Sequence, residues 1–204
     1  MLEVIQNRVG LLKETAGDLV AGIIISNLIC QAYDNCSTCE YPPVAQTTLS
    51  QLGYDLANGS QSNISMLWFI NRNHWTASNV NQTATIRYAD SKGEAAPSWL
   101  TAALEWWLSK HWKDIMAWEW APLACSHQPN HDNHSCGILS VNVVAHHHLP
   151  DEYPLIDPER TSIAWMELGI QVINHHVKMV CKSVLCISAC CLHMEFKSIF
   201  WTNL

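Results

Sequence analysis

The chain reads as an α+β protein: one domain followed by a tail. Three features support this. Apolar residues fall at helical spacing near both ends of the chain. Three runs rich in β-branched and aromatic residues lie between them. The composition is that of a chain with a core: 204 residues, 49% hydrophobic and 14% charged, where an average domain has about 25% charged residues. Intrinsic disorder is thereby excluded for the chain as a whole. With a net charge of -7, sequence-independent gripping of a phosphate backbone is not expected.

Residues 9–33 show helical spacing at Val9, Leu12, Ala16, Leu19, Ile23 and Ile24, with Asn27 breaking the stripe. Gly17 and Gly22 weaken a single helix and suggest two short ones. Residues 34–62 carry turn formers, including Pro42-Pro43 and Asn58-Gly59, and are expected to be loop. Strands follow at Ser65–Ile70, His74–Val80 and Ala84–Asp90, joined by turns at Asn71–Asn73 and Asn81-Gln82. Ser98 is placed to cap a helix that opens after Pro97, carries Leu100, Leu104, Trp107, Leu108 and Trp112 on one stripe, and is expected to run to 120 with Trp99, Trp106, Trp107, Trp112, Trp118 and Trp120 as core and groove lining. A His-, Asn- and Pro-rich loop covers Cys125–Ser135. A second helical run starts at Cys136-Gly137 and stops before Pro150, and a third covers 159–176. Helices, then strands, then helices again indicate α+β.

The nine cysteines are odd in number, and Cys181, Cys186, Cys190 and Cys191 crowd into the last 24 residues. Residues 1–13 alternate polar and apolar, unlike a signal peptide. Free thiols in a reducing, intracellular compartment (nucleus or cytoplasm) are therefore expected. The five Asn-x-Ser/Thr sequons, beginning at Asn35, Asn58, Asn63, Asn81 and Asn133, are then chance matches. No uncharged apolar run reaches the ~18 residues needed to span a bilayer, so no membrane partner is expected.

Three residues point to thiol chemistry. His74 opens a strand, Asp90 ends the paired strand, and Cys136 opens a helix. A thiol at a helix N-terminus faces the positive end of the backbone dipoles, which favours the thiolate. A neighbouring imidazole can take its proton, and a carboxylate on the other ring nitrogen fixes tautomer and orientation. Gln128 or Asn130 on the preceding loop could supply the oxyanion donor. By themselves these positions also suit commoner roles: a small core Cys, a loop His, and a turn-forming Asp before Ser91-Lys92-Gly93.

The wording of the segments is more specific. His74-Trp75, Tyr88-Ala89-Asp90-Ser91, Gln128-Pro129-Asn130 and Ser135-Cys136-Gly137-Ile138 occur in that order, with 16 residues from His74 to Asp90 and 46 from Asp90 to Cys136. This set resembles the ubiquitin-like-protein-specific (SUMO or sentrin) cysteine proteases, relatives of the adenovirus protease, over about residues 64–150. Ile86–Ser91 and Trp106-Trp107-Leu108 look most like divergent fungal versions. The resemblance implies a papain-like, adenain-type cysteine protease fold with a central mixed sheet flanked by helices. It implies a catalytic domain over 1–176 and a Cys-rich tail, 177–204, outside it. It also implies His74 as general base, Asp90 as orienter, Cys136 as nucleophile and Gln128 as oxyanion donor, with Trp75 lining a narrow tunnel for glycines. The substrate would be a ubiquitin-like modifier, cut after Gly-Gly, with no cofactor and a monomeric enzyme.

Two departures stand out. The family has its glutamine six residues before the cysteine, a position held here by Asn130, whereas Gln128 stands eight before. Residues 30–62 contain no Trp to complete the family's tunnel. The alternatives are a catalytically impaired relative that binds a modifier without cleaving it, and acyl transfer by the same three residues. Other groupings carry less. Cys36-Ser-Thr-Cys39 lacks a second pair for zinc. His127, His131 and His134 suit a polar loop, and His146–His148 suit a helix end, where cations complement the dipole. No metal site is expected.

Overall fold

The computed structural model of the protein describes residues 1–12, 15–36, 43–113 and 117–177. The chain divides into two compact units, Met1–Trp165 and Met166–Leu204. The tail expected over 177–204 falls, beyond Val177, outside the described residues.

The first unit contains α1 (Leu2–Val9), β1 (Asp18–Val20), α2 (Ile23–Asp34), α3 (Pro43–Ala57), β2 (Asn63–Ile70), β3 (His74–Asn81), β4 (Thr85–Ala89), α4 (Ser98–Ser109), β5 (Glu119–Pro122) and α5 (Cys136–His148). A 3-10 turn, Pro158–Arg160, follows, and helical residues lead to 165. In the second unit, residues 166–177 are helical and expose Met166, Ile170, Ile173 and Val177. No described helix is long and apolar enough to cross a membrane.

The five strands form one mixed sheet in the order β1-β2-β3-β4-β5. The outer pairings, β1 with β2 and β4 with β5, are parallel, and the inner two are antiparallel. The α+β expectation is met. Strand periodicity divides the core in two. Ile64, Met66, Trp68 and Ile70 of β2, with Ile86 and Tyr88 of β4, pack with α2, α3 and α4. Leu67, Ala77 and Ala89, from alternate positions, pack with α1 and α5. Successive strand side chains point to opposite faces, so one sheet supports two cores. Leu100, Leu104, Trp107 and Leu108 of α4 are all fully buried, as their helical spacing predicts. Truncating one such Leu to Ala would cost about 2–5 kcal/mol.

Four elements differ from the sequence expectation. Residues 9–33 hold the end of α1, then β1 and α2, because Gly17 (φ 92) turns the chain between them. The 34–62 segment contains α3. A proline in a first helical turn gives up an N–H that has no partner there in any case, so Pro43 opens a helix rather than preventing one, and Leu49 and Leu56 are its buried contacts. Gly53 lets α3 approach the chain after α4, since a Cβ there would lie 2.2 Å from the His111 ring. The helix after Pro97 ends at Ser109, and Trp118 and Trp120 belong to the approach to and the body of β5, a mostly exposed edge strand whose backbone pairs with β4. Pro97, not Ser98, occupies the N-cap, and its carbonyl accepts from Leu100 and Thr101 N–H.

Candidate active site

The site is built on the hairpin of β2 and β3. Asn71 and Arg72 take positive φ (51° and 60°), which reverses the chain in three residues and pairs Ile70 with His74. His74 thus stands at the first position of β3. Asp90 directly follows β4, on the same face of the sheet as Tyr88. Across the strands His74 Nε2 meets Asp90 Oδ1 at 2.9 Å, and the two side chains are 5% and 0% exposed. A carboxylate only accepts, so Nε2 carries the proton and donates. Nδ1, the ring nitrogen turned away from Asp90, is buried with no hydrogen-bond partner. Lys92 N–H also donates to Asp90 Oδ1, at 2.7 Å.

Thr76 Oγ1, Tyr88 OH and Asp90 Oδ2 are buried near one another, none of them in a well-formed hydrogen bond. The register Ala77 with Ala89 sets Thr76, Tyr88 and Asp90 on one face of β3 and β4. Burial, with the charge of Asp90 adding to it, pushes the Tyr88 phenol up to about 12.

Cys136 is the first residue of α5 and is buried. Asp132 prepares this start: its Oδ1 accepts from His134 N–H at 2.8 Å and Ser135 N–H at 3.0 Å. Burial acts to raise the Asp132 carboxyl, but hydrogen bonds from Ser135 and from the His134 and Ser135 N–H groups outweigh it and hold the carboxyl below its usual range. Trp75 ties the strand to the helix. Its carbonyl accepts from Ser140 Oγ at 2.8 Å, and a Cβ on Gly137 would lie 3.5 Å from its ring. Trp75 also packs, tilted by 41°, against half-exposed Phe69, ring centroids 4.8 Å apart.

Gln128 is buried and clamped next to Asp90. Its N–H donates to Ser91 O at 2.7 Å, and its Oε1 accepts from Ser91 Oγ at 3.1 Å. Nε2 donates to the Asp132 carbonyl. A carbonyl cannot donate, so this last bond also fixes which end of the amide is nitrogen. Asn130, two residues on, is exposed.

The structure therefore joins His74 to Asp90, lays Trp75 against the first turn of α5, and orders Gln128 beside Ser91. No hydrogen bond joins the Cys136 thiol to His74. Ser91, Thr76 and Tyr88 are residues that the sequence reading does not single out for a role; the Ser91 contact follows a loop closure that no local pattern encodes. Two other thiols differ in setting. Burial, reinforced by Asp34 at Cys30 and by Asp90 at Cys125, pushes each up to about 11.

His148 corrects the reading of the His146–His148 run as helix-end cations. Its ring is buried. Nδ1 meets Asp18 Oδ2 at 2.8 Å and Nε2 meets Ser65 Oγ at 2.8 Å. Packing of α5 across β3 and β2 brings these distant residues together, which outweighs the helix dipole as the reason for an imidazole here. Cys36 is a free thiol, and Cys39 lies outside the described residues. Among the described residues no group of three or more His, Cys, Asp or Glu could hold a metal ion.

No protein family matches the chain by sequence, and neither does any curated protein. Solved structures do match in three dimensions. The Xanthomonas campestris effector protein XopD, bound to ubiquitin, is 17% identical with a TM-score of 0.52, over 80% of this chain and 85% of that one. The yeast Ulp1 protease domain in complex with SMT3 is 13% identical with a TM-score of 0.48, over 79% and 70%. The Chaetomium thermophilum Ulp1-like SUMO protease catalytic domain is 14% identical with a TM-score of 0.41, over 70% and 66%. By its similarity to XopD, the chain has the mixed-sheet α+β fold of that protein.

Proposed function

We propose that the chain is an intracellular, monomeric cysteine peptidase that cleaves after the C-terminal Gly-Gly of a ubiquitin-like modifier, as a SUMO-like deconjugating or precursor-processing enzyme of the divergent fungal kind its motifs resemble. The observation that carries this is the buried His74–Asp90 hydrogen bond, which leaves the opposite ring nitrogen basic and unpartnered. In this reading Nδ1 takes the thiol proton of Cys136, and Asp90 stabilises the imidazolium that results. The thiolate attacks the scissile carbonyl, and the imidazolium then protonates the leaving amine. Water hydrolyses the thioester with His74 again as base. Gln128 donates to the oxyanion alongside the Cys136 backbone N–H. Trp75, whose ring lies 3.5 Å from where a Cβ on Gly137 would stand, restricts the substrate next to the nucleophile to glycine. The ubiquitin bound by XopD supports a modifier of that fold as the partner.

A second reading is favoured by one feature: the thiol and His74 share no hydrogen bond. A relative that binds a modifier without cleaving it would show this. So would an unliganded enzyme, whose catalytic hydrogen bonds are often loose until substrate arrives. A panel of ubiquitin-like modifiers carrying a C-terminal vinyl sulfone separates the two. Covalent capture by the wild type and none by Cys136→Ala is expected. Modifier binding without capture, and without hydrolysis of a Gly-Gly fusion, would establish the non-cleaving reading.

A further inference from the structure

A cleft of about 320 Å³ opens beside β4, β5 and α5, well away from Cys136. Val143, the nearest helical contributor to its lining, lies seven residues beyond Cys136, about 10 Å along the helix axis. Pro122, Leu123 and Val143 make its walls apolar, while Arg87, His146 and His147 supply the polar groups.

Arg87 is the anomaly. It is half-buried, and among the described residues its side chain makes no ion pair or hydrogen bond. A guanidinium does not lose its proton, so this charge stays uncompensated in a chain whose net charge is -7. The surroundings do not neutralise it. Arg87 lies opposite Asn79 of β3, which is itself opposite Ser65 of β2, so it ends a polar row across the sheet. Asp18, the carboxylate whose charge reaches His147, is engaged by His148 and Asn63. His146 directs Nδ1 at the Tyr153 carbonyl, 2.9 Å away. Burial, assisted by the charges of His148 and Arg87, brings His147 down to about 4, so it is neutral at pH 7. The C-terminal end of α5 opposes an anion with about half a unit of negative charge, less than the full charge of Arg87.

We propose that this cleft binds a small carboxylate with a short apolar body, the Arg87 guanidinium taking the carboxylate and Pro122, Leu123 and Val143 the apolar part. The planar guanidinium fork matches two carboxylate oxygens. Phosphate is the poorer fit, because Pro122, Leu123 and Val143 offer no donor to those of its oxygens that the Arg87 fork leaves unpaired. The site is independent of the peptidase reading.

Calorimetric titration of the full chain at pH 7 with hexanoate and with inorganic phosphate tests it. Hexanoate is expected to bind saturably and at least tenfold more tightly than phosphate. Arg87→Gln should weaken hexanoate binding at least tenfold. Ala124→Phe, at an exposed lining position, should do the same by filling the cleft with Arg87 intact, and it decides the matter should Arg87→Gln fail to fold in a thermal melt. No saturable hexanoate binding by the wild type, phosphate binding as tight as hexanoate, or unchanged binding in folded Arg87→Gln or Ala124→Phe would each overturn the proposal.

Discussion

Among the described residues, two buried imidazole–carboxylate pairs of nearly the same length have opposite surroundings. His74 meets Asp90 at 2.9 Å, and His148 meets Asp18 at 2.8 Å. The second pair continues to Ser65 Oγ, so Asp18, His148 and Ser65 form a Ser-His-Asp chain in outline. The polar side-chain atoms of its three members are all bonded: both ring nitrogens of His148 have partners, Ser65 also accepts from Asn79 Nδ2 at 3.1 Å, and Asn63 Nδ2 donates to Asp18 Oδ1 at 2.8 Å. Ser65 is fully buried mid-strand. Such a network fastens the end of α5 to β1 and β2. The His74 pair keeps one nitrogen without a partner, and an unsatisfied buried polar atom costs about 1–3 kcal/mol. In the proposed enzyme this nitrogen is the base that takes the Cys136 proton, and it lies on the strand whose Trp75 rests against Gly137 in the first turn of α5. Three residues in the right order do not make a nucleophile; an unspent basic nitrogen and an approachable partner are also needed.

The largest effect that would sharpen this contrast is on turnover. In the proposed enzyme, Cys136→Ala should lower cleavage of a Gly-Gly fusion by about 10⁴-fold or more, with the thermal midpoint nearly unchanged. His148→Ala should do the reverse, lowering unfolding stability by about 3–5 kcal/mol because Asp18 loses its buried partner, while turnover per folded molecule stays within a few-fold. Urea melts paired with kinetics distinguish them. A stable His148→Ala protein without activity would break the comparison.

Next in size is the oxyanion donor. Gln128→Ala should reduce kcat about 10²–10³-fold, whereas Asn130→Ala, at an exposed position, should remain near wild type. The opposite ranking would transfer the role to Asn130.

His147, at the α5 end, should give folding stability a pH dependence. An unfolded imidazole takes a proton near 6.5, while folded His147 resists until about 4. Between these values the unfolded chain binds more protons, so stability is fully present above about 6.5 and falls as pH falls, by about 3 kcal/mol at pH 4. Urea unfolding from pH 7 to 4 measures this slope, and His147→Gln should flatten it.

The smallest effect is on labelling order. At pH 7 iodoacetamide should leave Cys30 and Cys125 almost untouched, since burial pushes both up to about 11. Cys136 should alkylate first among the described cysteines, as read by peptide mass analysis. Earlier labelling of Cys125 would show that its burial is not maintained in solution.

Much of the candidate site is legible in the sequence because its parts are local. His74 follows a three-residue turn, Asp90 directly follows the strand paired with β3, and Cys136 begins a helix after a polar loop. The helix α3 is hidden by Pro42-Pro43, which reads as a break although Pro43 is a helix start. β1 and β5, three and four residues long, are too short for any periodicity. They become strands through backbone pairing with β2 and β4.

The sequence alone determined the α+β order, the alternation that gives one sheet two cores, and the residues available for thiol chemistry, because each depends on spacing within a dozen residues. Tertiary structure alone decided which histidine is spent and which is not. Asp18 lies 130 residues from His148 and Ser91 lies 37 from Gln128. Only the closing of the sheet against α5 and its preceding loop sets their atoms at hydrogen-bond distance, where burial removes the water that would otherwise satisfy them.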